Sequence, residues 1–263
     1  MHLYKYESLT AHTLHNLKGQ ILYFGSPLGF DDPYDCALTP NIRPPTDVEV
    51  DAIRRRYLQA VGTPPLTRRE LESLSSVDLR DALVRAGRSA FEEIAREFLR
   101  TRGVTCFSEV NDDLLMWAHY GGRYRGICLE FSTAVGPFEK IRRVRYVESL
   151  PTLELAPLLV ERNFEPALGL FCTKSTAWAY EKEWRAIHTV VGTEYVYLAD
   201  ALTGVYFGPD IDDTSLDLVC LILRSQNEKV RFWRGTRSTT EFRVLFSEFT
   251  YTPFLEAKRK GLV

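Results

Sequence analysis

Glu181 and Glu183, in AWAYEKEWRAI (residues 177–187), are two carboxylates separated only by Lys182. On a helix they would point about 200° apart, and Glu181 would pair with Arg185 at i,i+4 for a few tenths of a kcal/mol. On a strand Glu181, Glu183 and Arg185 share one face, while Lys182 and Trp184 take the other. Two neighbouring carboxylates repel unless positive charge faces them. The cationic transition state of a glycosidic cleavage is one source of such charge. EWRAIHTVV alternates and ends in β-branched residues, which predicts a strand from about Lys182. The competing reading is a buried ion pair that holds a sheet together.

Other stretches carry chemistry-bearing residues. In YFGSPLGFDDPYD (23–35), Asp31, Asp32 and Asp35 lie beside Phe30 and Tyr34. They read either as metal ligands or a general base, or, for Asp31 and Asp32, as caps of turns before Pro33. In CFSEVNDDLLMWAHYGGRYRGICLEF (106–131), a strand ends at Ser108 and Glu109. Asn111 is positioned to cap a helix that carries Met116, Trp117, His119 and Tyr120, an aromatic wall for an organic ligand or simply core. IRRVRYVE (141–148) reads as one strand with Arg143 and Arg145 on a shared face. RSQNEKVRFWRGTRS (224–238) interleaves Arg224, Lys229, Arg231, Arg234 and Arg237 with Phe232 and Trp233. That suits phosphate contact with base stacking, and equally a solvent-facing edge strand guarded by cations, the favoured reading.

The elements that position these residues follow from periodicity. A first strand, HLYKY, leads into a helix over 8–18 with Thr10 as N-cap and Gly19 as C-cap, then a second strand, QILYFGSP. Residues 29–45 are dense in Asp and Pro and read as loop. Residues 47–102 show helical spacing in VEVDAIRRRYLQAV and DALVRAGRSAFEEIAREFL, separated by TPPL; TRRE at 67–70 has the form of a capping box. Strand patterns dominate after residue 103, with helices near 112–122 and 152–170. The expected fold is α+β, with a mixed or mainly antiparallel sheet in a single domain spanning 1–263 and a helical insertion at 47–102.

A chain of 263 residues that is 45% hydrophobic and 26% charged reads as globular. A net charge of −2 argues against bulk polyanion binding. Five dispersed cysteines without a CxxC predict reduced, mostly buried thiols and no zinc site, so no metal is expected. Without a signal-like N-terminus or an 18-residue apolar run, the expected location is cytoplasmic, with no membrane partner.

Four motifs in order, LYKY, YFGSPLGFDDPYDC, CFSEVNDDLLMWAHYGGRYRGICLEF and WAYEKEWR, with GVYFGPD as a late strand, resemble a broad bacterial family. It is labelled domain-of-unknown-function family twenty-nine seventy-one, and the resemblance spans almost the whole chain outside 47–102. More distantly, LYKY, CFSE and EKE resemble, in order, three motifs of the ADP-ribosyltransferase superfamily. Those are a first strand of the LYH or LYR kind, a strand with Ser lining a nicotinamide pocket, and an ExE pair before a late strand. Lys5 stands where that superfamily has Arg or His.

That resemblance implies NAD as substrate. Glu183 would hold the nicotinamide-ribose hydroxyl and stabilise the oxocarbenium-like transition state, and Glu181 would orient the acceptor. Ser108 would position the ribose or amide; Tyr4, Lys5 and Tyr120 would contact the nucleotide. His119 completes the candidate catalytic set, and Glu109, Trp117 and Asp31 the candidate binding set. The expected activity is ADP-ribosyl transfer to a nucleic acid or protein, or NAD hydrolysis, in a bacterial toxin or antiphage defence effector. Two alternatives stand beside it: a metal-dependent nucleic-acid-binding or processing protein, and a non-catalytic small-molecule sensor module.

Overall fold

In the computed structural model, residues 1–60, 65–134 and 138–261 are described. The first half runs β1 (His2–Glu7), α1 (Ala11–Gly19), β2 (Ile21–Phe24), β3 (Asn41–Arg43), α2 (Asp47–Gln59), α3 (Pro65–Ser73), α4 (Ser76–Thr101), β4 (Gly103–Ser108), α5 (Leu114–His119) and β5 (Ile127–Ser132). The second runs β6 (Arg142–Arg143), β7 (Arg145–Val147), β8 (Thr152–Glu154), α6 (Leu155–Leu159), α7 (Glu165–Leu170), β9 (Thr173–Ser175), β10 (Glu183–His188), β11 (Thr193–Val196), β12 (Leu202–Phe207), α8 (Asp213–Arg224), β13 (Arg231–Arg237), β14 (Val244–Phe249) and α9 (Phe254–Arg259). The fold is α+β. The chain divides into two compact units, one of residues 1–25, 103–144 and 177–263, the other of 26–102 and 145–176.

The first unit is built on an eight-stranded sheet in the order β14-β13-β12-β5-β1-β4-β10-β6. It is mixed but mostly antiparallel: β12 and β13 are parallel, joined through α8, and the remaining pairs are antiparallel. Alternation along β1 assigns its two faces. Leu3 joins Leu17 of α1, Phe107, Leu129, Phe131, Val205, Phe207 and Val219 and Leu223 of α8 in one core layer. Tyr4 and Tyr6 point the other way, toward Trp117 of α5, Cys128 and Tyr206. The expected N-cap of α1 forms, Thr10 accepting from Thr13 N–H. Gly19 closes the helix, and Gln20 takes the left-handed cap conformation at φ 53°.

The second unit contains the helices expected at 47–102 together with α6, α7 and the short parallel pairs β3–β8 and β7–β9. Its buried apolar groups include Ile42, Phe91, Leu153, Leu155 and Leu170, with Val50, Leu71 and Leu79 as a second cluster. TRRE does not open a helix, because α3 already starts at Pro65. The reciprocal capping box is one helix earlier: Thr46 caps Glu49 N–H, and the Glu49 carboxylate accepts from Thr46 N–H. Of TPPL (63–66), Thr63 and Pro64 lie outside the described residues.

Two strand readings change. IRRVRYVE is not one strand: β6 pairs with β10, Val144 is buried, and β7 pairs with β9. The basic β13 is not an edge; it lies between β12 and β14. The cations of the 224–238 stretch sit against acids or carbonyls: on β13 Arg234 on Asp213 and Arg237 on Asp210, and before it Lys229 on Asp200 and Arg224 on the Glu228 carbonyl.

Candidate functional site

The strand register assembles the site. Tyr4 of β1 is the cross-strand partner of Ser108 on β4, and Ser108 is the partner of Glu183 on β10. In the other direction Tyr4 opposes Glu130 on β5, Glu130 opposes Gly204 on β12, and Gly204 opposes Arg231 on β13. Register partners point to the same face. One row therefore crosses six strands in the order Glu183, Ser108, Tyr4, Glu130, Gly204, Arg231. With neighbouring strands about 4.8 Å apart, the Glu183 and Tyr4 backbones are roughly 10 Å apart. Three motifs distant in sequence thus meet on adjacent strands.

The strand expected from about Lys182 begins one residue later, at Glu183, so Glu181 stands before it and not on a shared strand face. A 3-10 turn runs over Thr176–Glu181, Lys182 has φ 44°, and β10 begins at Glu183. The left-handed Lys182 breaks the two-residue alternation, so Glu181 and Glu183 take separate partners. The Glu181 carboxylate accepts from the Tyr120 hydroxyl at 2.6 Å, and its carbonyl accepts from Ser108 Oγ at 2.7 Å. Glu109 N–H donates to the Lys182 carbonyl at 3.1 Å, which ties the same turn to the end of β4. Glu183 faces Arg185 two residues on: Nε and Nη2 reach its two carboxylate oxygens at 2.7 and 2.9 Å. Arg185 is 0% exposed and Glu183 4%. The ion-pair reading of this stretch is thus realised.

Charge around the row is organised by burial. Burial first, and then the Glu183 carboxylate, push the Cys106 thiol well above its ordinary value, so it is a protonated neighbour rather than a thiolate nucleophile. Further along, Glu130 is buried and accepts from the Tyr206 hydroxyl at 2.8 Å and from Thr203 Oγ1 at 2.6 Å. The Tyr4 hydroxyl is pushed up to about 12 by burial and by the Glu130 carboxylate, so it stays a donor at neutral pH. Trp233 stacks in parallel on Tyr206 at 4.5 Å, and Arg231 lies over its ring at 4.7 Å. From sequence, Trp233 stands out only within the basic and aromatic stretch 224–238, and Glu130 and Tyr206 do not stand out at all. Only the alternation of LYKY and ICLEF, which puts Tyr4 and Glu130 on the polar side of their strands, could have pointed to them.

The other sequence-derived candidates are distributed. Lys5 lies on the opposite face from Tyr4 and pairs with Glu7 at 3.1 Å; burial pulls its ammonium down, and the Glu7 carboxylate outweighs that and raises it. Glu109, one residue past Ser108, accepts from Trp184 Nε1 at 2.8 Å and Arg143 Nε at 3.0 Å. Trp117 is fully buried and donates to the Asn111 carbonyl at 2.7 Å, as a core residue does. The helix cap is Asp113, not Asn111. His119 is exposed at the end of α5, with its ring 6.2 Å from Tyr120 and 6.4 Å from Tyr180.

Asp31 is exposed and belongs to the second unit. Beside it, Asp32 accepts from Tyr34 N–H across Pro33, as a turn cap does, whereas Asp35 pairs with Lys174 at 3.3 Å. Among the described residues no three His, Cys, Asp or Glu side chains gather as a metal site. No described helix is long and apolar enough to cross a membrane.

Neither the curated proteins nor the solved structures contain a match to this chain. Residues 116–186, from α5 through the Glu181–Arg185 segment, match the model of a family described as protein of unknown function (DUF2971), and over that stretch the chain is similar to that family.

Proposed function

We propose that the protein is an NAD-cleaving enzyme of the ADP-ribosyltransferase or NAD-glycohydrolase kind. The observation that carries the reading is the Tyr4–Ser108–Glu183 row. Tyr4 of LYKY, Ser108 of CFSE and Glu183 of EKE lie on neighbouring strands, on one face and in one register. In this reading the bond between the ribose C1′ and the nicotinamide nitrogen breaks and the electron pair leaves with neutral nicotinamide. The Glu183 carboxylate stabilises the positive charge that develops on the ribose. A water or acceptor hydroxyl then adds its oxygen to C1′, and its proton passes to solvent by way of Glu181, which Tyr120 holds in place. Ser108 Oγ fixes the height of the 181–183 turn through the Glu181 carbonyl. A bacterial toxin or defence effector is the biological setting that fits such a reaction.

A second reading, a non-catalytic small-molecule sensor, draws its support from one observation: the Glu183 carboxylate is already forked by Arg185. Nicotinamide release from NAD separates the two. The enzyme reading expects release by the wild type, with a protein or nucleic-acid acceptor or water, and a fall of about a hundredfold or more in Glu183→Gln with circular dichroism unchanged. Glu181→Gln is expected to lower transfer to the acceptor more than hydrolysis. Absence of both NAD binding and nicotinamide release under all acceptor conditions refutes it.

A further inference from the structure

On the face of the large sheet opposite the Tyr4–Ser108–Glu183 row, residues of β1, α1, β2 and β5 enclose a cavity of about 10 Å³. Alternation along β1 puts Lys5 and Glu7 on that side, away from Tyr4 and Tyr6. The polar part of its lining includes both, together with Asn16 of α1 and Tyr197 just past β11, and Leu17 and Leu129 are among its apolar walls. A space of this size is about the least that holds one water molecule.

Two polar groups on this lining lack a protein partner. The Asn16 side-chain oxygen is buried with no hydrogen-bond partner among the described residues. Tyr197 is 3% exposed, and burial alone pushes its hydroxyl up, with no hydrogen-bonding or charged neighbour contributing. Native structures satisfy such groups with protein or with ordered water, because a buried polar group left unpaired is costly. The neighbouring groups are already engaged. Thr13 Oγ1 donates to the Ser8 carbonyl at 2.7 Å, and the Lys5 ammonium holds Glu7 at 3.1 Å. That ion pair spends one of the three N–H groups of Lys5. It also balances the local charge, so a cation would meet the ammonium and an anion the carboxylate. A neutral molecule of water size fits both the volume and the charge.

We propose that this cavity binds one ordered water, which donates to Asn16 Oδ1 and accepts from the Tyr197 hydroxyl, with the Lys5 ammonium as a second donor. The water joins α1 to β1 and to the segment after β11. Lys5 then serves the junction of α1 with the sheet rather than a nucleotide. The site is on the other face from the NAD reading and does not rest on it.

A crystal structure of the full chain at a resolution that shows ordered waters tests it, together with oxygen-17 relaxation dispersion, which counts long-lived waters in solution. A density peak is expected within about 2.7–3.2 Å of both Asn16 Oδ1 and the Tyr197 hydroxyl oxygen. Asn16→Leu replaces the amide with methyl groups and favours the helix; it is expected to lose the peak and one long-lived water. Asn16→Asp keeps an acceptor and should keep both. Tyr197→Phe retains the ring that stands edge-on to Phe131 at 5.2 Å, removes the donor, and is expected to shorten the residence time of the water. Circular dichroism checks that each variant is folded, and the Tyr197→Phe result stands on its own if Asn16→Leu does not fold. A dry cavity in the wild type overturns the proposal. So does a peak with the short contacts of a metal ion, or a water whose occupancy and residence time are the same in every variant that folds.

Discussion

Arg185→Met leaves the Glu183 carboxylate buried with its forked partner gone, and Glu183→Leu leaves the guanidinium in the same state. Both side chains are almost wholly enclosed, at 0% and 5% exposure, and they meet through two hydrogen bonds of 2.7 and 2.9 Å. Removing one member of a buried pair costs about 3–5 kcal/mol, because the other stays desolvated without the opposite charge of the fork. For a chain of this size a kcal/mol corresponds to roughly 2–4 °C in Tm, so each single variant is expected to melt roughly 10 °C lower. The double variant Glu183→Leu/Arg185→Met removes both charges and keeps apolar volume. It is expected within about 2 kcal/mol of the wild type. Thermal and urea unfolding of the four proteins, followed by circular dichroism, gives the coupling energy. A double variant as unstable as the sum of the singles would refute the claim that the fork, rather than separate packing of each side chain, fixes this end of β10.

Three further outcomes are expected. Gly204→Ala would drive a Cβ into the Trp233 ring, so it should cost about 1–3 kcal/mol by overpacking and change the near-ultraviolet circular dichroism of the Trp233–Tyr206 stack; an unchanged spectrum would count against that placement. The Tyr4 hydroxyl is raised in the folded chain to about 12 from about 10, so its contribution to stability is fully present below pH 10 and declines as pH rises toward 12. Tyr4→Phe should flatten that part of the alkaline unfolding curve, with tyrosinate absorbance as the direct readout. Thr46→Ala should lower stability by about 1 kcal/mol through loss of the capping box. The Glu49 carboxylate is held down to about 2, first by Arg43 and then by Thr46 N–H. Its contribution is therefore present above about pH 4.5 and lost as the pH falls toward 2, a loss that Arg43→Ala should reduce.

The sequence was most readable where one local rule decides the outcome. Thr10 caps α1 because a hydroxyl at that position meets an open N–H whatever packs nearby. LYKY alternates because β1 is covered on both faces, Leu3 in one core and Tyr6 in the other. The segment around Glu181 was less readable, because a single left-handed residue, Lys182, decides whether the two glutamates share a face. Nothing in the composition of EKE marks that residue as the one that turns. Trp117 looked like a ligand wall from its aromatic neighbours; burial against the Tyr6 ring at 5.2 Å, set by tertiary packing, makes it core. The row from Glu183 to Arg231 lies beyond periodicity altogether, since it depends on strand order and register among segments far apart in the sequence.

The most direct test of the central claim is a crystal structure of the Glu183→Gln protein with NAD, the substitution slowing turnover while keeping a hydrogen-bonding side chain at residue 183. The nicotinamide ribose is expected against the Tyr4–Ser108–Glu183 row, with a ribose hydroxyl within hydrogen-bond distance of the residue 183 side chain. NAD bound elsewhere, or absent at saturating concentration while residue 183 stays closed against Arg185, would contradict it.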